Sequence, residues 1–141
     1  MWLTYAILAA ILWGLNYTLA ERLLNSISPT TLLAFEMLVG TISFFIVSWF
    51  FNLKKDVALI SAEPSVLFLL IAEIVVVLLA NLLIVYSIQA KNATVAGFVE
   101  LIYPLFTILF TWLIFHENHV SLPVVIGGGL IMIGVYMISF A

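Results

Sequence analysis

Apolar residues run almost without interruption through five stretches of the chain, Leu3 to Leu19, Thr30 to Phe51, Val66 to Gln89, Thr94 to Phe115 and Ser121 to Phe140. The connections between them are short and carry most of the charge. Bilayer hydrocarbon is roughly 30 Å thick and a helix rises about 1.5 Å per residue, so about 20 apolar residues span it. The apolar runs are continuous rather than alternating, and hydrocarbon supplies no water to an unpaired backbone group. Helices are therefore expected in place of a barrel. The pattern predicts an all-α integral membrane protein, a single domain over residues 1–141 with five transmembrane helices.

Composition supports the same reading. Only 8% of the residues are charged, against about a quarter in soluble domains, so water is not the main solvent. The first span has no basic start and further apolar spans follow it, which reads as a retained helix rather than a cleaved leader. The chain has no cysteine, which excludes disulfides and thiol chemistry. No basic cluster points to nucleic acid or to lipid headgroups as a partner. No cofactor motif is expected.

Orientation in a bilayer normally follows an excess of Lys and Arg in the cytoplasmic loops. Here Lys54 and Lys55 fall on one side, and Arg22 and Lys91 on the other. The balance permits insertion both ways up, and with five spans the termini lie on opposite faces. A single orientation set by the terminal amine or by a partner is the competing expectation.

Three acidic residues lie inside the predicted spans, Glu36, Glu73 and Glu100, with no Lys or Arg inside to pair with them. An intramembrane carboxylate costs several kcal/mol unless it faces a cavity, finds partners or stays protonated, so each is a candidate for substrate or proton binding. Each sits roughly 10 Å from the start of its helix. Alternate helices run in opposite directions, so Glu36, Glu100 and Asn16 are expected in one leaflet and Glu73 in the other.

Helical spacing gathers the small and polar residues into stripes. Gly97, Glu100, Pro104, Thr107 and Thr111 share one face of the fourth span; Glu36, Gly40 and Ser43 share one on the second; Ala6, Ala9, Trp13, Asn16 and Ala20 share one on the first. Such stripes face protein or water, or simply let helices pack closely. Pro104 removes one backbone bond in mid-helix and is expected to kink the fourth span just after Glu100, exposing carbonyls beside a carboxylate.

Two further patterns carry less weight. His116, Glu117 and His119 lack the spacing and the third ligand of a zinc-protease helix, so no metal site is expected. Gly127, Gly128, Gly129 and Gly134 lie in an apolar span without a following Lys, which points to helix packing rather than phosphate binding.

In order along the chain these residues resemble the EamA-type domain of the drug/metabolite transporter superfamily. Trp13-Gly14-Leu15-Asn16-Tyr17 is similar to its tryptophan-glycine start, and Pro29 opens the second span. From Ala90 to Tyr136, Ala93-Thr94-Val95-Ala96-Gly97, Tyr103-Pro104-Leu105-Phe106, Phe115-His116-Glu117 and the glycine-rich last span follow the family's order. The resemblance implies one five-helix, EamA-like repeat. Most family members resemble two such repeats fused in inverted orientation with the substrate site between them.

That resemblance, with the balanced loop charges, predicts an antiparallel homodimer, or a heterodimer with a second five-helix half, in a bilayer expected to be a prokaryotic inner membrane. Where the family often carries an arginine in the second span, this chain has Glu36, so a site lined by acids disfavours anions and favours protons, cations or amine-bearing metabolites. The expected function is secondary, proton-coupled transport of a small metabolite or organic cation. A non-transporting membrane subunit that stabilises or escorts a partner is the alternative. No motif supports an intramembrane enzyme.

Overall fold

The computed structural model describes residues 1–118, 120–138 and 140, and among them every regular element is helical. In chain order these are α1 (Trp2–Leu24), α2 (Pro29–Phe51), α3 (Leu53–Ala62), α4 (Pro64–Ala90), α5 (Ala93–Glu100), α6 (Tyr103–Phe110) with a π-helical turn (Thr111–Phe115), and α7 (Leu122–Ile138). Among the described residues four runs are long and apolar enough to cross a bilayer: α1, α2, α4 and the stretch Ala93–Phe115. The described part of α7 has 17 residues, or about 25 Å of helix, and is shorter than those four.

Several boundaries differ from the apolar pattern for physical reasons. α1 continues past Leu19 to Leu24, because Glu21 and Arg22 lie on a turn whose other face buries Ala20 and Leu24. The connection after the second span contains a helix of its own, α3, which carries Lys54, Lys55 and Asp56. Its charges hide it from a search for apolar runs. The fourth apolar run is not one α-helix: it stops at Glu100 and resumes at Tyr103.

Local chemistry explains the starts and stops. Ser28 caps α2 by accepting the Thr31 N–H at 3.3 Å, with Pro29 in the first turn where its missing donor is not needed. Between α1 and α2 the Ser26 and Ile27 N–H groups both donate to the Leu23 carbonyl, closing the helix end. Asn92 caps α5 by accepting the Val95 N–H at 2.8 Å. The π-helical turn ends at His116, whose φ of 56° is left-handed; histidine is among the side chains that tolerate this region.

The tightest packing lies at one end of the bundle. There the end of α1, the start of α2, the end of α4 and the start of α5 meet around Ala20, Leu24, Leu32, Leu33, Val85, Ile88, Ala93 and Ala96. The short α1–α2 and α4–α5 turns place these four helix ends together. Away from that end the large apolar side chains are mostly exposed, as suits helices whose outer solvent is lipid.

Candidate functional site

The packed end of the bundle forms the floor of a cavity between α1 and α5. Gly97 on α5 faces the ring of Tyr17 on α1, and a Cβ at Gly97 would lie 3.3 Å from Tyr17 Cδ2. Absence of a side chain lets the two helices approach closely. Glu100 is one turn further along the same face, and the Tyr17 hydroxyl donates to its Oε2. Trp13, one turn earlier on α1, meets the Tyr17 ring edge to face at 5.7 Å.

These residues line a cavity of about 780 Å³ whose wall includes Trp13, Tyr17, Gly97, Phe98, Glu100 and Tyr103. Tyr17 and Glu100 are half-buried in it. No Lys or Arg lines the cavity, and Glu100 is the only carboxylate among the described residues that do. The arrangement places one carboxyl group among aromatic side chains, a combination that can hold a cation through charge and through ring quadrupoles.

The helix is interrupted where the carboxylate sits. Leu101 and Ile102 form the break, their N–H groups bonding back three residues to Phe98 and Val99. Pro104 stands in the first turn of α6 and has no N–H to offer the Glu100 carbonyl. Leu105 donates instead to Ile102 at 3.0 Å. Regular α-helical bonding is thus interrupted directly after Glu100, with tightened turns in its place.

The floor is held by two further bonds. The Ala93 N–H, at the open start of α5, donates to Glu21 Oε2 at 2.8 Å. Gln89 Nε2 donates to the Leu24 carbonyl at 3.4 Å. A carboxylate at a helix N-terminus meets both free donors and the positive end of the dipole.

The three intramembrane acids do not share one site. Glu36 is exposed on α2 and lines a separate groove of about 590 Å³ with Met37, Gly40, Phe44, Ser48 and Leu53. Glu73 is exposed on α4 and lines neither cavity. Asn16 is half-buried beside Tyr17 on α1 but does not line the cavity wall. Of the last-span glycines, Gly128 lies against α6, where a Cβ would come within 2.7 Å of Leu105 Cδ2, while Gly127, Gly129 and Gly134 have open space around them. His116 ends the π-helical turn, and His119 lies outside the described residues.

Tyr17 and Glu21 are hydrogen-bonding partners at this site that sequence reasoning passed over. Tyr17 stands one turn after Trp13 and next to the Asn16 stripe, so its place on the inner face was readable. Its acceptor was not. Asn92, directly before the helix that begins at Ala93, carried an ordinary capping signal.

Fold and site together define a multi-pass integral membrane protein with a carboxylate-bearing cavity between its helices. The model of the EamA-like transporter family matches residues 1–140, and the chain belongs to that family. No curated protein and no solved structure matches it.

Proposed function

We propose that the chain is a proton-coupled secondary transporter of a small metabolite or organic cation, and that Glu100 is the group for which proton and substrate compete. The carrying observation is that Glu100 lines the cavity between α1 and α5 at the point where its helix breaks. Broken helices beside a polar group are how membrane carriers bring backbone and charge to a substrate. The lining holds no cationic side chain, which disfavours anions.

The working unit in this reading is a pair of five-span halves in opposite orientation, with α7 as the fifth crossing. Two observations support it. Glu36 and Glu73 are exposed on helices long and apolar enough to cross a bilayer, and an ionisable group inside such a span calls for protein or water beside it. Lys54 and Lys55 balance Arg22 and Lys91 across the membrane, so one sequence can insert both ways.

Purified protein in liposomes tests the assignment. Glu100→Gln is expected to abolish substrate-driven proton movement while the protein inserts normally; unchanged proton-coupled flux in Glu100→Gln would overturn it. Absence of flux from the unmodified protein, with a fixed orientation of reporter fusions at Ala141, would favour the escort subunit instead.

A further inference from the structure

Tyr17 has a place in the cavity that proton and substrate exchange at Glu100 does not by itself require. Its ring is seated on α5 over Gly97, and its hydroxyl occupies one oxygen of the Glu100 carboxylate. A half-buried carboxylate gains from a donor, and the Tyr17 phenol is that donor. An ammonium group supplies the same kind of bond with opposite charge, which makes it a stronger partner for a carboxylate than a neutral hydroxyl.

The surroundings indicate what body such a ligand carries. Trp13, Phe98 and Tyr103 line the same cavity as Tyr17 and Glu100, and aromatic rings attract a cation and pack against an aromatic or aliphatic group. The cavity volume of about 780 Å³ falls in the range of pockets that enclose small organic ligands.

We infer that Tyr17 is the placeholder that holds Glu100 between rounds of ligand binding, and that an amine-bearing cation with an aromatic or aliphatic body displaces its hydroxyl from the carboxylate. Tyr17 acts through Glu100 and is a positioning residue. Displacement also frees one of two polar ties between α1 and α5, the other being Glu21 to the Ala93 N–H, so occupancy of the site changes how those two helices are held. The inference rests on the cavity being the transport site and adds the ligand class and the competing group.

A placeholder has a signature that a merely structural tyrosine lacks. Removing its hydroxyl strengthens ligand binding, because the ligand no longer competes with an internal donor and the binding-competent state becomes more populated. Tyr17→Phe keeps the ring over Gly97 and so preserves the packing.

Binding of phenethylamine to the purified protein in nanodiscs, measured by calorimetry at neutral pH, is the test, with neutral 2-phenylethanol as comparison. Tyr17→Phe is expected to bind the amine about tenfold more tightly, in line with loss of one hydrogen bond to a charged group. Glu100→Gln is expected to lose amine binding, and adding Tyr17→Phe to it to restore none. The alcohol is expected to respond to neither substitution.

Weaker or unchanged amine affinity in Tyr17→Phe overturns the placeholder role, as does a Tyr17 effect that persists without Glu100. No amine binding by the unmodified protein overturns the ligand class. Both results are distinguishable from failure of the transport assignment, which is read separately from Glu100-dependent proton flux in liposomes.

Discussion

The Tyr17 hydroxyl donates to Glu100 across 83 positions of sequence, and the ring that carries it lies over Gly97, one helical turn before the acceptor. This three-residue arrangement joins α1 to α5 at the wall of the cavity. It combines a polar tie with close backbone approach, and each part can be probed apart from the other.

The polar tie is expected to contribute about 1 kcal/mol of coupling, the scale of hydrogen bonds between membrane helices. A double-mutant cycle of Tyr17→Phe and Glu100→Gln, followed by unfolding in mixed detergent, measures it. Strict additivity of the two substitutions would show that the bond adds nothing to stability.

Close approach at Gly97 predicts a graded response to side-chain size. The Cβ of Gly97→Ala requires the Tyr17 ring to give by a few tenths of an ångström. Because α5 gains helix propensity of up to about 1 kcal/mol from alanine, stability is expected to change little. Gly97→Val adds bulk that the ring cannot pass, and the Tyr17–Glu100 coupling energy measured in that background should vanish.

The three consecutive glycines of α7 should respond unequally. A Cβ at Gly128 meets the tip of Leu105 at 2.7 Å, whereas Gly127 and Gly129 face open space. Leu105 can rotate away from a single methyl, so Gly128→Ala is expected to be mild and Gly128→Val to destabilise by about 1–3 kcal/mol through overpacking. Leu105→Ala should relieve part of the valine's effect. Gly127→Ala and Gly129→Ala should leave thermal stability in detergent equal or raised; a marked loss of stability in either would show that the glycine packs against a neighbour after all.

Glu21 caps α5 from another helix, through the Ala93 N–H. Glu21→Ala is expected to cost about 1 kcal/mol, the usual scale for a lost cap. Amide exchange should accelerate in the first turn of α5 and at the end of α1, and leave α7 unaffected. Uniform exchange changes across the protein would indicate that Glu21 has no particular tie to α5.

Much of the helical architecture is readable from local pattern. Lipid solvation acts residue by residue, so an apolar run between charged connections identifies a helix wherever it stands in the chain. The cap at Ser28–Pro29 is equally local. The helix α3 escaped because Lys54, Lys55 and Asp56 leave it only a short apolar run, Val57 to Ile60, too brief to span a bilayer. The interruption at Leu101 and Ile102 depends on turns tightened around Pro104, whose position alone leaves the extent of the break open.

For the site, the sequence by itself determined that Glu36, Glu73 and Glu100 sit in hydrophobic segments and on which helix faces Glu36 and Glu100 fall. Periodicity states which way a residue points and is silent about what stands opposite. Only the tertiary structure decided that Glu100 meets Tyr17, that Glu36 lines a different groove, and that Glu21 closes the start of α5. The reason is physical: solvation by lipid is a local property of the chain, whereas the choice of neighbour follows from how α1, α4 and α5 fit together at the one end where small and branched side chains interlock.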